Sequence, residues 1–182
     1  DSKVGPGHRG IQAQGDPHLG IREAARRRDL TVNAMMIDPL TDELLDPFHG
    51  QRDLATRTLR AVDDSTFLED PLRAVRVVQF AGRLGFQPDD HLLELCRRAD
   101  LHELPFERVF GEWEKLLLRG HHVDLALRFA QQAAITARCF PELDGLDGPA
   151  LHARLQAAVP WRERLDGERS EEHTSELQSP CN

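Results

Sequence analysis

The 182-residue sequence contains no apolar run approaching the roughly 20 residues that span a bilayer. It opens Asp-Ser-Lys-Val-Gly, without the apolar stretch of a secretory signal. Its three cysteines, Cys96, Cys139 and Cys181, are an odd number without metal-ligand spacing. These absences argue against a membrane protein or a disulfide scaffold. They predict a cytoplasmic protein with reduced thiols and no membrane partner.

An excess of positive charge is also absent. The formal net charge is −8, which argues against binding nucleic acid through a general electrostatic field. The basic residues are instead concentrated locally, in a run that Glu23 and Asp29 interrupt: Arg22, Arg26, Arg27 and Arg28. Taken alone, such a run is typical of a solvated helix face. Local charge therefore matters more than the overall balance.

Hydrophobic periodicity predicts a mainly helical protein. Val77, Phe80, Ala81 and Leu84 recur at the spacing of one helix face, so we expect a helix over residues 66–84 that ends at Gly85. Further helices are predicted over 21–28, 51–56, 88–99, 105–119, 122–134 and 151–159, with a hairpin from 35–38 and 44–46 and strands near 10–14 and 59–62. The fold class is thus mainly α with a small α/β part.

Composition also predicts the domain boundaries. Residues 1–62 carry the mixed α/β pattern, 63–145 form a helical domain, and 146–168 are a helical continuation or a linker, with the Gly- and Asp-rich stretch 144–149 as the best linker candidate. Residues 169–182 are similar to translated sequencing adaptor, so we expect a disordered artefact there.

The segment Glu69-Asp70-Pro71-Leu72-Arg73 contains a candidate base-recognition pair. On one helix face, Asp70 and Arg73 would set an acceptor beside a donor fork, the complement of an edge that cytosine and adenine share. Guanine and uracil would leave buried groups unpaired, at roughly 1–3 kcal/mol each. The alternative is a solvated ion pair in a first helical turn, with Thr66 and Glu69 as a capping box.

The segment 69–73 alone would not indicate a protein family, but several further motifs occur with it in a fixed order. They are Arg-Arg-Arg-Asp-Leu-Thr-Val-Asn-Ala at 26–34, Leu-Asp-Pro-Phe-His-Gly-Gln-Arg-Asp-Leu at 45–54, the segment 69–80, Glu-Arg-Val at 107–109 and Phe-Pro-Glu-Leu at 140–143. Together they resemble the class II tRNA nucleotidyltransferase family, which includes CCA-adding enzymes and bacterial poly(A) polymerases. The resemblance begins near Lys3 and covers most of the chain. It implies the C-terminal part of a head domain followed by a helical neck and body domain that binds nucleotide and RNA.

The resemblance also implies roles for individual residues. Residues expected to contact the phosphates and ribose are Arg27, Arg28 and Asp29. Asp70 and Arg73 match the template for C and A, with Arg76 as another nucleotide contact; a surface ion pair of Arg76 with Glu69 or Asp70 is the alternative. Expected supporting residues are Glu69, Glu107 and Arg108, although a helix-start ion pair would explain Glu107 and Arg108 equally well. Gln79 stands where the family often has arginine.

The segment Asp46–Leu54 resembles the one thought to let head and neck move, although it could be only a capped turn.

The family's metal-binding Asp-x-Asp pair does not occur before Arg28. Asp63-Asp64 and Asp89-Asp90 are adjacent rather than alternating, so we expect them at helix N-termini. Catalytic and metal ligands are therefore expected upstream of residue 1, and this chain alone is expected to be inactive.

The resemblance implies CTP and ATP as substrates, Mg²⁺ as cofactor and the tRNA 3′ end as partner. A poly(A) polymerase, a partial CC- or A-adding enzyme and a noncatalytic helical RNA-binding module stay open, as does the oligomeric state.

Overall fold

The structure, a computed structural model, describes residues 2–3, 11–12, 20–143, 149–150, 153–154 and 157. Its strands are β1 (Ser2–Lys3), β2 (Ile11–Gln12), β3 (Met36–Ile37), β4 (Leu44–Leu45), β5 (Thr58–Leu59) and β6 (Gln87–Pro88). Its α-helices are α1 (Ile21–Arg26), α2 (Gly50–Ala55), α3 (Asp64–Glu69), α4 (Leu72–Leu84), α5 (Asp90–Arg98), α6 (Phe106–Arg119), α7 (Val123–Gln132) and α8 (Ile135–Cys139). Short 3₁₀ turns cover Thr31–Asn33 and Pro141–Leu143. The mainly helical class with a small α/β part is confirmed.

The strands form three two-stranded sheets in the described residues. The predicted hairpin is present, with Met36 opposite Leu45 and Ile37 opposite Leu44 in β3 and β4. The predicted strand near 10–14 is β2, antiparallel to β1. The strand expected at 59–62 instead covers Thr58–Leu59 and pairs in parallel with Gln87–Pro88. That pairing explains why α5 begins at Asp90 and not at Pro88.

The single helix predicted over 66–84 is wrong. α3 ends at Glu69, Asp70 is extended with φ −121° and ψ 97°, and α4 begins after Pro71. A proline ring disfavours helical backbone in the residue before it, so Asp70 leaves the helix. The predicted capping box is also wrong, because Asp63 is the N-cap of α3 and accepts from the Thr66 N–H at 3.0 Å. Gly85 ends α4 as expected, in the left-handed region at φ 67°.

The aspartate pairs lie where the sequence analysis put them. Asp63 caps α3, and Asp89 caps α5 by accepting from the Leu92 N–H at 2.8 Å. Each carboxylate satisfies a backbone donor that has no partner inside its own helix. Their prediction as helix N-terminal residues is confirmed.

The core lies between α4, α6 and α7. Val77 and Ala81 on α4 are fully buried, as the periodicity predicted, whereas Leu84 is half exposed. α4 approaches its neighbours closely at Gly82, where an added Cβ would overlap with Leu116 Cδ1 and lie 3.0 Å from Ala126 Cβ.

The core reaches beyond the helices, because Leu30 and Leu59 belong to the same buried apolar cluster. The segment before residue 62 is therefore anchored on the helical part. No helix in the described residues is both long and apolar enough to cross a bilayer. The linker and the final segment predicted at 144–149 and 169–182 lie largely or wholly outside those residues.

Candidate nucleotide-binding site

Asp29 ties the loop after α1 to helix α4. Its carboxylate is only 7% exposed; Oδ1 accepts from the Leu30 N–H at 2.9 Å and from Asn33 Nδ2 at 3.1 Å. Oδ2 accepts from Arg76 Nε at 2.7 Å. Burial alone would raise the pKa of Asp29, but the Arg76 charge and these hydrogen bonds together hold it below its usual range. The carboxylate is therefore ionised and fixed.

Arg76 lies between two acidic groups from distant parts of the chain. Besides its bond to Asp29, its Nη1 is 3.8 Å from Glu112 Oε1 on α6, and its guanidinium is 5.3 Å from the centre of the Phe80 ring. Its ion-pair partners are thus Asp29 and Glu112, and not Glu69 or Asp70 as the alternative interpretation supposed. A tertiary bridge thus joins the loop, α4 and α6.

Arg73 holds three backbone carbonyls. Its Nη1 donates to Thr66 O at 2.8 Å and to Arg28 O at 3.4 Å, and its Nη2 donates to Arg27 O at 2.6 Å. Burial lowers the pKa of Arg73, although nearby carboxylates oppose the shift. A guanidinium has five N–H donors, so two of them, including Nε–H, have no hydrogen bond to a described residue. These two N–H groups can donate to a ligand while the three bonds to carbonyls stay in place.

Asp70 lies beside Arg73 but is paired elsewhere. Its Oδ1 accepts from the Leu72 N–H at 3.2 Å, and its Oδ2 is 3.4 Å from Arg108 Nη2 on α6. The alternative of an ion pair with Arg73 in a first helical turn is wrong, because Asp70 is outside the helix and its ion-pair partner is Arg108. The Asp70 carboxylate is partly exposed and keeps lone pairs free for a further donor.

Some arginines of the basic run are bonded within the protein, and others are exposed and could bind an external anion. Arg26 forms a two-pronged ion pair with Asp63, at 3.0 Å from Nε and 2.8 Å from Nη2. Arg22 donates to Pro47 O at 2.8 Å and stacks 4.8 Å from the centre of the Phe48 ring. Arg28 is exposed, and its side chain has no partner among the described residues. It is the arginine of this run best placed to meet an external anion.

The expected supporting residues differ in their contacts. Arg108 reaches Asp70 as described, whereas Glu69 and Glu107 are exposed at the last turn of α3 and the first turn of α6. The geometry therefore brings Asp29, Asp70, Arg73, Arg76 and Arg108 into one cluster at the start of α4. Glu69 and Glu107 lie at its rim.

The segment Asp46–Leu54 forms a turn that leads into α2, with Asp46 bonded to the first N–H groups of that helix. Asp46 accepts from the Gly50 and Gln51 N–H groups at 2.7 and 2.9 Å, and His49 is left-handed with φ 62°. The role of this segment in domain movement remains a prediction.

Two buried acids were missed by the sequence analysis. Asp53 is completely buried, accepts from Thr31 Oγ1 at 2.8 Å and is ion-paired with Arg60. Arg60 also reaches Asp89 at 3.0 Å, so the network joins α2 to α5. Glu112 is 5% exposed and faces Arg76. Acids at these positions look like surface residues in the sequence, and only their distant basic partners distinguish them.

The described residues show no metal site: they contain no group of three or more His, Cys, Asp or Glu side chains able to hold an ion.

Comparison with known proteins decides the family. Residues 8–60 match the Poly A polymerase head domain. The chain is 37% identical over 155 residues to the Multifunctional CCA protein of Vibrio cholerae, and 39% identical over 165 residues to the CCA-adding enzyme of Pseudomonas putida. These alignments cover 81% and 87% of this chain but 38% and 44% of the relatives. The chain belongs to the tRNA nucleotidyltransferase and poly(A) polymerase family.

Solved structures of this family share the fold. A tRNA-processing enzyme with CTP has a TM-score of 0.59 at 33% identity, covering 66% of this chain and 35% of its own. The Bacillus stearothermophilus CCA-adding enzyme in complex with CTP has a TM-score of 0.62 at 30% identity, covering 77% and 34%. A tRNA nucleotidyltransferase complexed with a primer tRNA and an incoming ATP analogue has a TM-score of 0.59 at 31% identity, covering 66% and 37%. This chain therefore spans well under half the length of these family members.

Proposed function

We propose that this chain selects and orients the incoming nucleotide in a cytoplasmic enzyme that adds CCA to tRNA 3′ ends from CTP and ATP. One observation supports the proposal: Arg73 and Arg76 bind residues 27–29 to the start of α4. This arrangement would hold the proposed phosphate-binding and base-recognition groups close together. The printed names of the two curated relatives point to CCA addition, not to poly(A) synthesis.

Phosphate recognition falls to the loop. The Arg28 guanidinium is exposed and can approach phosphate oxygens, while Arg27 is held close by its backbone carbonyl. Asp29 has one oxygen on Arg76 and the other on the loop itself. A ribose hydroxyl would share this fixed carboxylate as an additional donor. The loop thus supplies charge and orientation without reading the base.

Base recognition falls to Asp70 and Arg73. The partly exposed Asp70 carboxylate accepts, and the two remaining N–H groups of Arg73 donate, which matches the edge common to cytosine and adenine. Because three other N–H groups of Arg73 are bound to carbonyls, its guanidinium is held rigid before a base arrives. Rigid donors discriminate well, since they cannot turn toward a mismatched carbonyl.

An enzyme that adds nucleotides in this way would need Mg²⁺ for its phosphoryl-transfer chemistry. The described residues offer no ligand set that fits such an ion. The part proposed for this chain is therefore nucleotide selection, with tRNA and nucleotides as its partners.

A chimaeric enzyme tests the proposal. Residues 20–143 would replace the corresponding segment of the Pseudomonas putida CCA-adding enzyme, and the product would be incubated with CTP, ATP, Mg²⁺ and tRNA lacking CCA. We expect the tRNA to gain all three nucleotides, resolved on a sequencing gel. Binding of tRNA without any incorporation would favour the noncatalytic RNA-binding module, and runs of adenosine would favour a poly(A) polymerase.

Two variants of that chimaera separate the two elements. Arg73→Ala is expected to lower the CTP to UTP ratio of kcat/KM by roughly ten- to a hundredfold, because a charged donor to the base is lost. Arg28→Ala should weaken all four nucleotides about equally, since phosphate carries no base information. Arg73→Lys tests the fork itself and should recover little selectivity. An unchanged ratio in a folded Arg73→Ala protein would refute the template.

A further inference from the structure

Glu112 on α6 carries an unpaired oxygen inside the protein. Its side chain is 6% exposed; Oε1 accepts from Lys115 Nζ at 2.8 Å and lies 3.8 Å from Arg76 Nη1. Its Oε2 is buried without a hydrogen-bond partner among the described residues. A buried carboxylate oxygen without a partner is costly. A role only in stability does not explain why an acid stands here.

The surroundings of Glu112 show what the carboxylate acts on. Arg76 is a third exposed and meets three groups from three elements: Asp29 from the loop, Phe80 from its own helix and Glu112 from α6. Asp29 holds Nε, and Glu112 attracts Nη1 from another side. Both carboxylates raise the pKa of Arg76 against the effect of burial. The hydrogen bond at Nε and the ion pair at Nη1 both favour one orientation of the guanidinium plane.

Gln79 lies about one turn along α4 from Arg76. It is buried, and its Nε2 also lacks a hydrogen-bond partner among the described residues. α4 and α6 pack against each other here, so a polar donor and a polar acceptor are both enclosed near this interface. Arg76 is the arginine that pairs with Glu112 among the described residues.

We propose that Glu112 is a positioning residue that sets the orientation of Arg76 for the incoming nucleotide. This inference rests on the proposed function for the nucleotide, but the orientation itself is a property of the free chain. Glu112 touches no substrate and acts only through the guanidinium. The negative charge of Glu112 would by itself repel a triphosphate. Removing that charge should therefore strengthen nucleotide binding if only charge matters, and weaken it if Glu112 orients Arg76.

The free chain provides the first test. The Nε–H signal of Arg76 in a ¹⁵N-edited NMR spectrum, assigned with Arg76→Lys, should shift and exchange faster with solvent in Glu112→Gln and Glu112→Ala. The matched control is Glu114→Gln, an exposed acid two residues along the same helix, which should leave the signal in place. A signal that Glu112→Gln does not move would overturn the proposal.

Nucleotide affinity provides the second test. Titration calorimetry of the full chain with CTP and with ATP should give Kd values raised roughly three- to tenfold by Glu112→Gln and unchanged by Glu114→Gln. In an Arg76→Ala background Glu112→Gln should have no further effect, because the two residues act as a unit. Thermal melting checks that each variant is folded, and the Gln and Ala variants must agree in direction.

The outcomes separate this proposal from the proposed function. Unchanged or tighter binding by a folded Glu112→Gln protein refutes the positioning role while leaving the proposed function intact. If the unsubstituted chain binds neither CTP nor ATP, the proposed nucleotide-selecting role of the chain fails. The NMR experiment then still decides whether Glu112 orients Arg76.

Discussion

The inner face of α4 and the polar cluster at its N-terminal end are held by different forces. On the inner face, Val77 and Ala81 pack with Leu116 and Ala126 in an apolar core that needs only shape and burial. At the N-terminal end, Arg73 and Arg76 bind groups 45 to 47 residues earlier in the chain, each through a particular donor and acceptor. Both regions belong to the same helix.

The two regions should respond differently to substitutions. Apolar burial is distributed over many contacts, so a core position responds mainly to lost volume. In the polar cluster, Arg76 is a third exposed, so water can replace part of what a lost partner supplied. We therefore expect larger stability losses from the core and larger effects on ligand selection from the cluster.

Truncation of the core should have the largest effect on stability. Leu116 on α6 is completely buried against α4, and Leu116→Ala should lower the free energy of unfolding by about 2–5 kcal/mol. Its neighbour Leu117 is 41% exposed, and Leu117→Ala should cost clearly less. Urea denaturation followed by circular dichroism measures both. Equal losses would show that the core is not centred at this interface.

Removal of the Asp29 charge should have a smaller effect. In Asp29→Asn the pair with Arg76 is lost, but Arg76 is a third exposed and can gain water, so we expect about 1–3 kcal/mol. The control is Asp90→Asn, at an exposed aspartate in the first turn of α5, and its free energy of unfolding should stay close to that of the unsubstituted protein. The same urea experiment applies. A loss as large as that of Leu116→Ala would erase the distinction between the two regions.

Acid should distinguish the regions by the shape of the stability curve. The pKa values of Asp29 and Asp63 are both lowered in the folded protein. Their contribution is therefore fully present above the unfolded value of about 3.9 and is lost as the pH falls through the folded values. Asp29→Asn should flatten this acid limb, whereas Leu116→Ala should lower the curve without changing its slope. Urea midpoints from pH 6 to pH 2 test this, and a parallel Asp29→Asn curve would contradict it.

The smallest effect is expected at the exposed pair of His91 and Asp64, 2.8 Å apart. The hydrogen bond that Asp64 accepts from His91 raises the pKa of His91, so the contribution of this pair is present below the unfolded value of about 6.5 and is lost as the pH rises through the folded value. Because both side chains are solvated, we expect less than about 1 kcal/mol. His91→Gln should remove this alkaline loss, which urea midpoints from about pH 5 to about pH 9 would measure. A larger change would mean that the pair is not a simple surface contact.

Local chemistry in the sequence was enough to predict several features of the structure. The helical periodicity of α4, the Gly85 stop, the hairpin of β3 and β4 and the helix-capping Asp63 and Asp89 were all predicted correctly. Each depends on residues within a few positions of one another. The break before Pro71 was also visible locally, since a residue before proline leaves the helical region, but one helix was predicted because proline is tolerated early in a helix.

The sequence by itself determined which chemical groups are present and in what order: the arginine run, the Asp70 and Arg73 motif and the apolar helix faces. Only the tertiary structure decided their partners. It paired Asp29 with Arg76 and Asp70 with Arg108, and it joined Arg73 to the backbone carbonyls of Arg27 and Arg28. It also enclosed Asp53 and Glu112, which resemble surface acids in the sequence. The physical reason is range: helix, turn and cap preferences act over a few residues, whereas ion pairs between distant segments exist only after the apolar core has brought those segments together.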